Sequence, residues 1–151
     1  LKKLRKNKNY IQGIYKHKFP EKYKGSLPCI FRSGLELKSF RYLDNNPNVI
    51  SWGSESIVIP YVSPKDGQVH RYFVDLVAKL KRKDGTSQTL LIEVKPEKQT
   101  VPPTESKRKK QSTIIYEKVT YAVNLAKWQA AKAYADKKGM TFLILNEKHL
   151  Q

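Results

Sequence analysis

Three acids and one lysine stand out in this sequence for where they fall. Glu36 sits early in a helical stretch, Asp75 inside the apolar run YFVDLVA, and Glu93 inside LLIEVK, two residues before Lys95. Side chains two apart on a strand share a face, so Glu93 and Lys95 point the same way. A carboxylate in an otherwise apolar strand is costly to bury alone. A metal ion, a lysine or a hydrogen-bonded network would offset that cost. Each residue also has a plain structural reading: Glu36 as a helix-capping acid, Glu93 with Lys95 as an exposed edge pair, Asp75 as a partner for Arg71.

The elements that must position these residues can be read from capping, periodicity and turn signals. Ser33 and Glu36 form an S-x-x-E capping box ahead of an apolar stripe of Leu35, Phe40 and Leu43. Asp44-Asn45-Asn46-Pro47 ends that helix. Strand signals follow at 49–52, at 57–62 with Pro60 marking an edge, at 69–81 and at 89–95. Pro64 to Gly67 has turn composition, and Asp84-Gly85 joins the last two strands as a hairpin. Residues 96–112 read as an exposed loop. A long helix over 113–138 carries Ile115, Val119, Ala122 and Ala126 on one stripe, with Leu125, Trp128 and Ala131 on a second. That pattern predicts burial on much of its girth, with Trp128 and Tyr134 in the core and Gly139 closing the helix. Residues 141–145 predict a buried closing strand, and 10–31 irregular structure. A hairpin followed by a helix and another strand implies a right-handed crossover, hence an α/β fold with a mixed β-sheet core flanked by helices.

Register sharpens the picture. The core side of the third strand is read as Val74, Leu76, Ala78 and Leu80, and that of the fourth as Leu90, Ile92 and Val94. Opposing these sets requires paired residue numbers with an even sum, as for Leu76 with Ile92. The same parity puts Asp75 on the face of Glu93 and Lys95, with His70 and Tyr72 on the other face. A two-residue loop at Asp84-Gly85 would pair Lys83 with Thr86 and turn one whole strand over. The register therefore predicts an odd-numbered loop, Asp84-Gly85-Thr86 with a bulge, or a bulge elsewhere.

Composition speaks to the partner. The 151 residues suit one domain, read as 10–151, behind a basic arm over 1–9 (LKKLRKNKN). Thirty Lys+Arg against thirteen Asp+Glu give a net charge of +17, which points to a polyanion. An enzyme for neutral small molecules and an acidic calcium-binding protein are both disfavoured. Charge alone does not separate a nuclease from a passive binder of nucleic acid or of an anionic membrane. Lys2, Lys3, Arg5 and Lys6 in the arm, and Lys107, Arg108, Lys109 and Lys110 in the loop, are candidate phosphate contacts. Arg32 and Ser33 are further candidates at a helix N-terminus, although capping alone accounts for Ser33. Cys29, the one cysteine, reads as a small buried thiol. No apolar run is long enough for a membrane span and no signal peptide is visible, so a cytosolic setting without a membrane partner is expected.

Asp…Glu-x-Lys on a hairpin with an upstream helical Glu resembles the PD-(D/E)xK nuclease superfamily. More of the chain fits a narrower group. RSGLELK, YLDNNP, SWGSESIVIPY, HRYFVDLVA and LLIEVKP, in that order, are similar to TnsA-like endonucleases and, among these, to head completion endonucleases of large tailed phages. Gln99, Pro102-Pro103, SKRKK and KWQAAKAYADKKGMTF extend the likeness, which covers residues 12–147. The resemblance implies a restriction-endonuclease-like αβββαβ fold and Mg²⁺-dependent hydrolysis of DNA phosphodiesters, with Mn²⁺ substituting. It makes Glu36, Asp75, Glu93 and Lys95 the catalytic set. Asp75 and Glu93 would hold the ion, Glu36 would support a second ion or a bound water, and Lys95 would orient the attacking water. Gln99 would touch the site or merely shape the loop. The superfamily's proline before the first strand acid is Val74 here, but that proline supplies no ligand. The likeness further implies action on packaged DNA or its end, partners among capsid portal or head-tail connector proteins, and a place in the host cytoplasm or the virion. A catalytically silent DNA-binding virion protein of the same fold is the alternative, and an RNA nuclease a third reading.

Overall fold

The computed structural model describes residues 11–151; the basic arm, with Lys2, Lys3, Arg5 and Lys6, lies outside them. Over 11–32 the chain is irregular apart from a 3-10 turn (Pro20–Lys22) and a short antiparallel pair, β1 (Gly13–Ile14) with β2 (Ile30–Phe31). It lays Tyr15, Cys29 and Ile30 into the core, so Cys29 is the buried thiol expected. Helix α1 (Gly34–Asn45) starts where its cap predicts: Ser33 Oγ accepts from the Glu36 N–H at 3.0 Å. Phe40 and Leu43 form its buried stripe.

Four strands make the main sheet, in the order β3 (Val49–Ser54), β6 (Leu76–Lys81), β7 (Ser87–Val94) and β8 (Thr141–Leu145). The first three are antiparallel, and β8 runs parallel to β7 after the crossover helix α2 (Gln111–Lys138). Between β3 and β6 a two-stranded ribbon is inserted, β4 (Val58–Val62) with β5 (Val69–Phe73). Without the ribbon the order is αβββαβ, a mixed α/β fold. Apolar clusters cover both sheet faces. One joins Phe40 and Leu43 of α1 to Trp52, Leu76, Ala78, Ile92 and Val94; the other joins Ala131 and Ala135 of α2 to Ile59, Tyr72, Val74 and Leu91. Burial on both sides explains why β7 reads as a continuous apolar run.

The hairpin register is the one parity demands. Leu76 faces Ile92, and pairing continues without a slip to Lys81 with Ser87. Arg82 N–H then donates to Thr86 O at 2.8 Å, leaving Lys83-Asp84-Gly85 as a three-residue loop. Gly85 takes φ +86° and its N–H donates to Arg82 O at 3.1 Å. The loop is odd-numbered as expected but one residue earlier, because glycine takes the left-handed position that closes such a turn.

Three expectations are corrected. The run 69–81 is two strands, broken at Val74-Asp75. On the partner side, Ser54 faces Leu76 and Val58 faces Phe73, so Glu55, Ser56 and Ile57 oppose only Val74 and Asp75. This is a β-bulge, with Glu55 at φ +52°. Glu55 N–H to Asp75 O and Val74 N–H to Ile57 O, both at 3.0 Å, hold the bend. Side-chain parity inverts across it, so Val74 packs on the α2 side although Leu76 packs on the α1 side. Second, α2 buries only Trp128, Ala131 and Ala135, while Ile115, Tyr116 and Leu125 are exposed. A helix of 28 residues is about 42 Å long, far more than the ~17 Å of a five-residue strand, so its first half outreaches the sheet. Trp128 is in the core and Tyr134 packs beside it on the α2 side. Third, β8 closes the sheet as a half-buried edge rather than a buried strand. Among the described residues, no helix is long and apolar enough to cross a membrane.

Candidate active site at the bend of the sheet

Glu93 lies on β7, between β6 and β8, and is 6% exposed, so it is not half of an exposed edge pair. Its Oε1 is 3.5 Å from the Lys95 ammonium, on the same face two residues on. Its Oε2 accepts from the Tyr72 hydroxyl. Asp75 sits at the bend, where one further step of the β6–β7 register would place it opposite Glu93. Asp75 Oδ2 accepts from Val94 N–H at 2.8 Å. Burial and then the Glu93 charge push the Asp75 carboxyl well above the usual carboxylate range. The Val94 bond opposes this, Glu36 adds to it, and Lys95 opposes it. The other three expected site residues, Glu93, Glu36 and Lys95, therefore all act on Asp75.

Glu36 has two roles that are compatible. Its carboxylate Oε2 accepts from Arg32 N–H at 2.5 Å, so the second arm of the capping box reaches one residue upstream of the Ser33 cap. The same negative charge is felt at Asp75. Among the described residues, no group of three or more His, Cys, Asp and Glu side chains converges tightly enough to hold an ion. The arrangement is a close pair, Asp75 and Glu93, with Glu36 standing off.

The donor set nevertheless suits a hard divalent cation. Asp75 and Glu93 offer oxygen ligands, and a cation between them would offset the burial and the Glu93 charge that raise the Asp75 carboxyl. Mg²⁺ is commonly held by one or two carboxylates and keeps several waters, so two acids are enough protein ligands.

Other residues singled out from sequence fall elsewhere. His70, two residues from Tyr72 on β5 and so on the same face, pairs with Asp66 at 2.7 Å rather than with Asp75 or Glu93. The Arg71 guanidinium lies over the Phe73 ring at 5.1 Å rather than against Asp75. Gln99 ends a 3-10 turn (Glu97–Gln99) and, with Tyr116 and Asn124, lines a cavity of about 610 Å³ between the following loop and α2. Lys107 to Lys110 stand at the N-terminus of α2, where Lys110 is the cap residue. Lys109 Nζ bonds Thr104 O at 2.8 Å and Glu117 at 2.9 Å.

Tyr72 is the site residue that strand parity misplaced. An unbroken strand over 69–81 would turn it away from Asp75 and Glu93; the bulge turns it towards Glu93. The available signal was on the other strand, where polar Gly53-Ser54-Glu55-Ser56 interrupts the apolar alternation opposite Val74-Asp75.

A mixed sheet with a helix on each face and an Asp, Glu-x-Lys set at its bend describes a class of nucleases. Residues 46–147 match the family model "TnsA-like endonuclease N terminal", and the chain belongs to that family. The matched stretch contains Asp75, Glu93 and Lys95 and begins after Glu36. Among curated relatives, the head completion nuclease of Enterobacteria phage T4 is 41% identical over 137 residues, covering 86% of this chain and 87% of that protein.

Proposed function

We propose that this chain is a divalent-metal-dependent DNA endonuclease of phage head completion, with residues 10–151 as its nuclease domain. The observation that carries the reading is the pairing of Asp75 with Glu93, with the Lys95 ammonium 3.5 Å from Glu93, inside the stretch matched to TnsA-like endonucleases. Asp75 and Glu93 would hold Mg²⁺, or Mn²⁺ in its place, and the bound ion supplies charge stabilisation on the phosphate oxygens. Val94 N–H fixes the direction of the Asp75 carboxylate. The Lys95 ammonium, freed from Glu93, orients the attacking water and adds positive potential where charge develops. Glu36 holds the start of α1 and keeps a third negative charge within reach of the pair.

The net charge of +17 supports DNA as the partner. Arg32, Lys107 to Lys110 and the arm's Lys2, Lys3, Arg5 and Lys6 would grip backbone phosphates with little base readout. The name of the T4 relative supports a role in completing heads. Packaged DNA or its end would be the substrate, and portal or head-tail connector proteins the neighbours, in the host cytoplasm or the virion.

The test is nicking of supercoiled plasmid with Mg²⁺ or Mn²⁺ by the wild type and by Asp75→Ala, Glu93→Ala and Lys95→Ala. Loss of cleavage in all three supports the reading, and cleavage untouched by all three sinks it. Salt-sensitive DNA binding by a wild type that cuts with neither ion would instead mark a silent binding protein. A matched RNA duplex run alongside separates a DNA nuclease from an RNA nuclease.

A further inference from the structure

We propose that Tyr72 is a positioning residue that holds Glu93 as a one-oxygen ligand and so biases the site towards Mg²⁺ over Ca²⁺. The inference rests on the metal-site reading above and adds a determinant of which ion is taken. The two oxygens of Glu93 have different partners: Oε2 accepts from the Tyr72 hydroxyl, while Oε1 faces Lys95 at 3.5 Å. An ion entering beside Lys95 therefore meets Oε1 first, while the Tyr72 hydroxyl fixes the carboxylate and takes one lone pair of Oε2.

The tyrosine is built to stay in place. It is 4% exposed on β5 and packs in the apolar cluster of Ile59, Val74, Leu91, Ala131 and Ala135. Tyr61 meets its ring edge-on at 6.5 Å. The Lys127 ammonium of α2 lies 5.7 Å from the centre of the Tyr72 ring and 5.8 Å from that of Tyr61. The bulge at Glu55 is what turns this residue of the inserted ribbon onto Glu93.

The chemistry of the two ions makes the bond selective. Mg²⁺ demands near-octahedral geometry at about 2.0–2.1 Å, which a carboxylate meets best through one oxygen. Ca²⁺ takes roughly 6–8 oxygens at about 2.3–2.6 Å and accepts a carboxylate through both. The Tyr72 bond competes for the second oxygen that Ca²⁺ would use and leaves Mg²⁺ the one it needs.

The experiment uses the full chain without DNA. Mn²⁺ is bound first, and its displacement by Mg²⁺ or Ca²⁺ is followed through the electron paramagnetic resonance signal of the free ion. Tyr72→Phe keeps the ring and removes the hydroxyl. It is expected to weaken Mg²⁺ about tenfold, the usual scale for a lost outer-sphere partner, and to leave Ca²⁺ unchanged or stronger. Tyr61→Phe should leave the Mg²⁺/Ca²⁺ ratio as in the wild type. In plasmid nicking, the KM for Mg²⁺ should rise in Tyr72→Phe while kcat at saturating Mg²⁺ holds. A lower melting temperature with an unchanged ion ratio would make Tyr72 merely structural and overturn the inference. Should Tyr72→Phe fail to fold, Tyr72→Leu, also apolar and without the hydroxyl, reads the same ratio. A wild type that binds no Mn²⁺ would overturn the metal site itself, an outcome distinct from an unaltered ratio in the variant.

Discussion

Asp44 and Asp75 are both acids drawn in from solvent, and their surroundings treat them in opposite ways. Asp44, fully buried near the end of α1, accepts from the Tyr15 hydroxyl at 2.7 Å and from the N–H groups of Lys18 at 2.7 Å and Phe19 at 3.1 Å. Burial pushes its carboxyl up, but these donors more than reverse the effect and leave it below the usual range. Asp75 accepts from Val94 N–H and faces Glu93, and burial followed by the Glu93 charge pushes its carboxyl well up. Burial raises both carboxyls; three donors reverse it at Asp44, whereas at Asp75 one donor meets burial and the Glu93 charge together. Asp44 is a finished tie that pins residues 15–19 to α1. Asp75 is left short of positive charge, as a group awaiting a cation would be.

The sharpest way to break this comparison is to neutralise each acid in turn. Asp75→Asn should lower Mg²⁺-dependent nicking by on the order of 10²–10³-fold, as loss of a key electrostatic group does. Its metal-free melting temperature should stay level or rise, because a repelled charge has been removed. Asp44→Asn should do the reverse. It leaves buried donors mismatched, costs about 2 kcal/mol and lowers the melting temperature by roughly 4–8 °C. Nicking per folded molecule should stay near wild type. If the two variants lose stability and activity alike, the distinction between tie and site is wrong.

Acid titration sharpens the same contrast with a smaller effect. The native Asp44 value is depressed, so the stability it contributes is present above the ordinary carboxylate value and is lost as pH falls through the native one. The native Asp75 value is raised, so the metal-free fold holds an extra proton between the ordinary and the raised values. Its stability therefore increases as pH falls through the raised value. Urea unfolding in EDTA should show Asp44→Asn flattening the loss below the ordinary carboxylate value and Asp75→Asn removing the gain above it. The smallest expected effect lies away from both acids. Replacing Lys107, Arg108 and Lys110 with alanine should reduce the salt slope of DNA binding by about 1 for each phosphate no longer neutralised, leaving both aspartates' signatures intact.

How far the sequence reaches follows the same division. The β6–β7 register was legible because two apolar alternations admit one parity, and with it the placing of Asp75 beside Glu93 and Lys95. Ser33 and Glu36 marked the start of α1 because a cap is a local device. The bend at Val74-Asp75 was hidden because it depends on an extra residue in the opposing strand, and Tyr72 was misplaced with it. Asp44 read as a helix-stop residue; its burial depends on Tyr15, 29 positions away, which no local pattern reveals. The only partly covered first half of α2 was missed because apolar residues at helical spacing do not tell how far the covering sheet extends.

The central claim is that Asp75 and Glu93 hold a divalent metal. An anomalous difference map from a crystal soaked in Mn²⁺ tests it most directly. A peak between the Asp75 and Glu93 carboxylates is the predicted result. Well-ordered Asp75 and Glu93 without that peak, in crystals that take up Mn²⁺ elsewhere, would contradict it.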